Sequence, residues 1–185
     1  MNAQRVAFVP TTPIDSDGFE ALDTCHRQML GMLDRLAVLV ARLKSVGVDE
    51  EARVMAADIV DFFSTTSRHH HEDEERYVFP KLATDGDPDL VQAVLRLQQD
   101  HVWVEEDWME IGPQLDAIAN GQSWYDLDLL AEQVDIFSAL LRDHIALEES
   151  FIYPQARAQL GEHQRHAMGR EMAARRRAAR AAQRA

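Results

Sequence analysis

Apolar residues recur along this chain at spacings of three and four, and glycine and proline are few, so the periodicity predicts an all-α protein without strands. The first helix is expected from near Asp17, where Asp-Gly-Phe-Glu fits a capping box, to near Gly47. Its stripe is Leu22, His26, Met29, Leu33, Leu36, Val40 and Leu43. A second helix begins at about Asp49 and carries Val60, Phe63, Ser67, His70, Glu74 and Tyr77 on one face until Pro80 kinks or ends it. Asp87 followed by Pro88 caps a third, with Val94, Leu97, His101, Val104, Trp108, Ile111, Leu115 and Ile118 in its stripe and Gly121 closing it. Ser123 and Asp126 offer caps for a fourth, bearing Leu130, Val134, Phe137, Leu141, His144, Glu148 and Phe151, and a shorter basic helix follows Gly161. Four long helices with short connections predict an antiparallel up-down-up-down four-helix bundle over residues 17–160. An N-terminal extension (1–16) and a basic C-terminal helix or tail (161–185) flank it.

Within these stripes, polar side chains stand where Leu, Val or Phe otherwise stands. His26, His70, His101 and His144 do so, and Glu74 and Glu148 follow on the same inward faces. Buried imidazoles and carboxylates without partners cost several kcal/mol per group, so something must compensate them. The chain also repeats itself. VDFFSTTSRHHHEDEERYVFP from Val60 and VDIFSALLRDHIALEESFIYP from Val134 match at nine positions, 74 residues apart, making helices one and two a copy of three and four. Both copies hold HxxxEE ahead of an aromatic and Pro, and a His and Glu four apart share one helix face. In the His69–His71 run, His71 with Glu75 competes with His70 with Glu74. The second copy selects the latter, because only His70 and Glu74 match His144 and Glu148. His69 and His71 are therefore expected outside the site, and His163 and His166 on the surface.

Charge and composition narrow the function. The net charge of −13 argues against nucleic acid or an anionic membrane as partner. From Gly161 onward seven arginines face two glutamates, so the preceding 160 residues carry −18. The basic end is expected to fold against its own acidic bundle, with a homodimer or protein contact as the other use of such a helix. No apolar run approaches a membrane span. The single cysteine, Cys25, excludes an internal disulfide and suits a reducing compartment, so a cytoplasmic location is expected.

Six or seven N and O donors without thiolate exceed a tetrahedral zinc site and suit two octahedral ions such as iron or manganese. The ExxH spacing of ferritin-like bundles is absent; the order here is HxxxE. From Asp17 to Pro154 the chain resembles the hemerythrin-like, or HHE cation-binding, family. The resemblance implies a non-haem di-iron centre, oxo- or hydroxo-bridged, with manganese or zinc as substitutes. Glu74 and Glu148 would bridge, His26 and His70 would hold one iron, and His101 and His144 the other. One departure stands out. Where oxygen-carrying hemerythrins have a His four residues after the third-helix His, this chain has Glu105. With Glu105 as a ligand, the His101–His144 iron is the more saturated. The internal repeat places Leu30 opposite Glu105, which leaves the open position on the His26–His70 iron, beside an apolar side chain. A small ligand such as O2, NO or peroxide is expected there. The carboxylate would favour ferric iron, and with it detoxification or sensing over carriage. A module that stores, senses or donates iron is the alternative.

Overall fold

The computed structural model describes residues 17–84 and 87–182. The N-terminal extension at 1–16 lies outside the described residues. Among the described residues the chain is helical without strands: α1 (Gly18–Ser45), α2 (Glu50–Asp61), α3 (Arg68–Tyr77), α4 (Phe79–Ala83), α5 (Pro88–Ala119), α6 (Leu127–Leu147), α7 (Tyr153–Gln159) and α8 (Glu162–Ala182). Two π-helical stretches, Phe62–Ser67 and Glu148–Ile152, join α2 to α3 and α6 to α7, so each forms one long arm. Helix starts fall where the caps place them. Asp17, Asp49, Asp87 and Asp126 each accept a backbone N–H of their own first turn. Gly47 and Gly121, at φ 86° and 72°, take the left-handed conformation that ends α1 and α5.

The arms pack in a ring, α1 against α2, α2 against α5, α5 against α6, and α6 back on α1. Their apolar stripes make two clusters rather than one. The larger holds Met29, Leu33, Ile59, Phe63, Trp108, Phe137 and Leu141; the other holds Phe19, Leu22, Phe79, Leu97, Ile152 and Tyr153. On every arm the break between clusters falls at the same polar residues: after Leu22 on α1, before Val78 on the second arm, after Leu97 on α5 and before Ile152 on the fourth. A polar layer crosses the core there.

Helix α8 is part of this body. Met168 and Met172 are buried in the second cluster, and α8 packs on α1 and α3. Its arginines meet the acidic bundle: Arg175 bonds Asp73 at 2.5 Å and Glu72 at 2.8 Å, and Arg176 bonds Asp73 at 3.1 Å. Asp73 is buried, and burial pushes its carboxyl up against the opposing pull of these guanidinium groups. No helix among the described residues is long and apolar enough to cross a membrane.

Candidate metal centre

The polar layer consists of side chains that helical spacing turns inward. His26 lies one turn from Leu22 and from Met29 on α1, and His101 lies between Leu97 and Val104 on α5. The HxxxE pairs descend from α3 and from the end of α6. His26, His70, Glu74, His101, His144 and Glu148 are all buried, as the stripes require. Two donor groups result. His26, His70, Glu74 and Glu148 bring one atom each within 4.8 Å of one another, and so do His71, Glu74, His101 and His144.

Glu74 belongs to both groups. Its Oε1 lies 3.1 Å from His70 Nε2 and 3.8 Å from His26 Nε2, and its Oε2 lies 3.5 Å from His101 Nε2. Glu148 Oε2 sits 3.2 Å from His26 Nε2 and 3.3 Å from His144 Nε2. Each carboxylate thus reaches imidazoles of both groups, which is the placement a bridging ligand needs. Among the described residues, Nε2 of His70, His71, His101 and His144, Oε2 of Glu74 and both carboxylate oxygens of Glu148 have no hydrogen-bond partner. Buried polar atoms are rarely left in that state, and here they converge. The residues fit cations bound between them, which would give each orphaned atom a bond.

Electrostatics describe what such cations must displace. Burial pushes the His26 imidazole down, yet Glu148 and Glu74 hold it at about 10. His144 is also held at about 10, by Glu148 and Asp100 against burial. Burial lowers His70 and drives His71 well below its ordinary range, where His101 adds to the effect. Burial raises the Glu74 carboxyl, but His70 and the other imidazoles around it keep it well below its usual range.

A surrounding set of carboxylates orients the imidazoles. His26 Nδ1–H donates to Glu149 Oε1 at 3.1 Å, and His101 Nδ1–H donates to Glu75 Oε1 at 2.9 Å. That fixes the tautomer with Nε2 toward the centre. Asp100 Oδ2 stands 3.6 Å from His144 Nδ1. The second Glu of each HxxxEE copy therefore grips a histidine of the opposite helix pair. The repetition of that Glu was visible in the sequence, although its role was not.

The geometry revises three expectations. His71, expected outside the site, is buried and stacks on His101 at 4.1 Å between ring centroids. The exclusion rested on the match to the second copy, where Ile145 stands at the position of His71; that position is buried in both copies, so it faces inward in each and carries a donor only in the first. Glu105 belongs to neither group. It is partly exposed and pairs with Arg68 at 3.2 Å, because on α5 it is Val104, three residues from His101, that turns inward. Leu30 is likewise only partly buried, packed against the larger cluster, and the buried residue after His26 is Met29. His69 stays outside both groups, as do His163 and His166.

Residues 17–156 match the family described as hemerythrin HHE cation binding domain. The chain belongs to that family. No curated protein matches it. As an HHE domain it is a cation-binding protein, and the buried His/Glu groups are the place where its core is built for one. This HHE domain has one further group at the centre. The Tyr153 hydroxyl donates to Glu74 Oε1 and lies 3.2 Å from His26 Nε2, with its ring stacked on His26 at 5.2 Å. In the internal repeat Tyr153 corresponds to Phe79, which stacks on His101 at 5.5 Å without a hydroxyl. Burial raises the Tyr153 phenol well above its ordinary range, with Glu74 and Glu148 adding to the shift, so it remains a proton donor.

Proposed function

We propose that this HHE protein holds two iron ions and binds or reacts with a small ligand, O2, peroxide or NO, in redox or nitrosative stress response or sensing. The observation that carries the reading is the pair of buried donor groups sharing Glu74. One group offers three imidazoles and a carboxylate, the other two imidazoles and two carboxylates. The set totals five histidines and two glutamates without thiolate, which suits two octahedral ions bridged by carboxylates. Iron, when bound, would supply the electrons and the open coordination position. His26, His70, Glu74 and Glu148 would hold one ion; His71, His101 and His144, with Glu74 shared, the other. The four arms are taken to run up-down-up-down, an order supported by the short connections between successive arms.

The neutral His71 rather than Glu105 now stands beside His101, so an anionic ligand no longer speaks against reversible carriage. Tyr153 does. Its hydroxyl sits against the group with fewer imidazoles, and an O–H donor there can pass a proton to a reduced ligand, which favours conversion over release. The donors lie buried between two apolar clusters, which favours a small ligand over a large substrate. Metal analysis with optical spectra of reduced, oxidised and ligand-exposed protein, followed by steady-state turnover of peroxide and NO, tests the proposal. Two irons per chain and measurable turnover are expected. Full iron content without turnover would instead mark a module that stores, senses or donates iron.

A further inference from the structure

Two surface clefts approach the polar layer, and their charges differ. One, about 460 Å³, is lined by Arg68, Glu75, Glu105 and Glu106, with His71 and His101 among its walls, and Glu72 also borders it. The other, about 560 Å³, reaches Tyr153 past Asp23, Arg27, Glu149 and Arg157, where two acids balance two bases. In the first cleft four carboxylates face a single arginine on its wall. It does more than collect negative charge. His71 is 6% exposed, and its Nε2 has no hydrogen-bond partner among the described residues. Glu75 is half exposed and touches the His101 imidazole with Oε1, so one carboxylate spans from water to a donor of the centre. Arg68 Nε holds Glu105 Oε1 at 3.2 Å along the cleft wall.

We propose that this cleft is the uptake route for the divalent cation, with Glu105, Glu106 and Glu75 as successive transit ligands leading to His71 and the Arg68–Glu105 ion pair as its latch. The inference rests on the metal-centre reading above. A hydrated cation is drawn to the acidic mouth, competes with Arg68 for Glu105, and passes by Glu75 to the unpartnered Nε2 of His71. An exposed arginine–glutamate pair contributes little stability, so breaking it offers only a small barrier. The centre's own donors are too buried to meet a fully hydrated ion first, which is why a graded set of half-exposed carboxylates matters. Charge at a cleft mouth raises association rates by roughly 10- to 1,000-fold, and salt diminishes the effect.

The test is stopped-flow uptake of Co2+ by the full-length, metal-free protein, read from cobalt absorbance, with final metal content measured separately. In E105Q/E106Q the uptake rate should fall on the order of 10-fold and lose most of its salt dependence, while final content stays that of the native protein. R68Q should load faster. E50Q/E51Q removes the same charge at the start of α2, about 30 Å along that arm from His70, and should load at the native rate. Equal rates in E105Q/E106Q and native protein, or equal slowing by E50Q/E51Q, would overturn the route and leave the centre standing. A lower final content in E105Q/E106Q, with matching circular dichroism, would overturn it by making Glu105 or Glu106 a resident ligand. Failure of the native protein to take up cobalt would overturn the centre itself.

Discussion

Replacing His71 by alanine separates a resident ligand from a bystander. The side chain supplies one of the four donors in its group, with Glu74, His101 and His144. Four-ligand sites in small domains bind metal with roughly 10–16 kcal/mol, or about 3 kcal/mol per ligand, so the loss of one weakens that position on the order of 100-fold. In the metal-free protein the same change costs little. His71 is held neutral by burial and its Nε2 has no partner, so the small cavity left behind is offset by removing a buried unsatisfied group. The effect should therefore lie in the metal-linked stability. A 100-fold weaker site forfeits about 2.7 kcal/mol of that increment, roughly 5–10 °C in a chain of this size. The assay is thermal unfolding with and without saturating metal, alongside metal content after dialysis against a chelator, with His69→Ala as the matched control. If His71→Ala keeps two tightly held ions and the full metal-dependent rise in Tm, His71 is not a ligand.

Three further outcomes are expected. Tyr153→Phe, which copies Phe79 of the other half, should keep its metal but slow ligand turnover, and metal-free denaturant unfolding should show a loss of about 1–3 kcal/mol from the Glu74 hydrogen bond. Metal uptake at pH 7 should release at least two protons per chain, since His26 and His144, held at about 10, are protonated until metal displaces the proton, and, against burial, Glu74 and Glu75 raise His101 as well; affinity then falls as pH falls. A pH-indicator titration in weak buffer that finds no release would contradict this. Removing both arginines in Arg175→Ala/Arg176→Ala strands the buried Asp73 carboxylate and should cost about 3–5 kcal/mol in denaturant unfolding, with partial recovery on adding Asp73→Asn.

Much of this architecture was legible because local chemistry and global packing agree. Asp17, Asp49, Asp87 and Asp126 cap where a cap was needed, and His26, His70, His101 and His144 announced themselves by displacing apolar residues from helical stripes. His71 was not legible, because the repeat that decided the register holds Ile145 at its position, an inward place without a donor. Glu105 and Leu30 were misplaced for a shared reason. A helix turns 360° in 3.6 residues, so positions three and four beyond an inward histidine straddle its direction, and only packing decides between them. Val104 and Met29 took the inward place. Tyr153 read as the aromatic before a proline, and nothing in spacing alone could have aimed its hydroxyl at Glu74.

The grip of Glu149 on His26 and of Glu75 on His101 has a meaning in symmetry. Residue contacts that are exchanged in this way, i to j and j to i, are what a two-fold axis between identical half-chains produces. The contacts of Glu148 with His26 and of Glu74 with His101 repeat the exchange. A lone half would supply one imidazole, one HxxxE pair and a spare carboxylate with no histidine to hold, and would complete itself only against a second half. Joined in one chain, the halves are released from identity. The first holds His71 where the second has Ile145, and the second holds Tyr153 where the first has Phe79. A strict pair of equal halves must build two equal positions; fusion is what lets one position gather imidazoles while the other keeps a proton donor beside it.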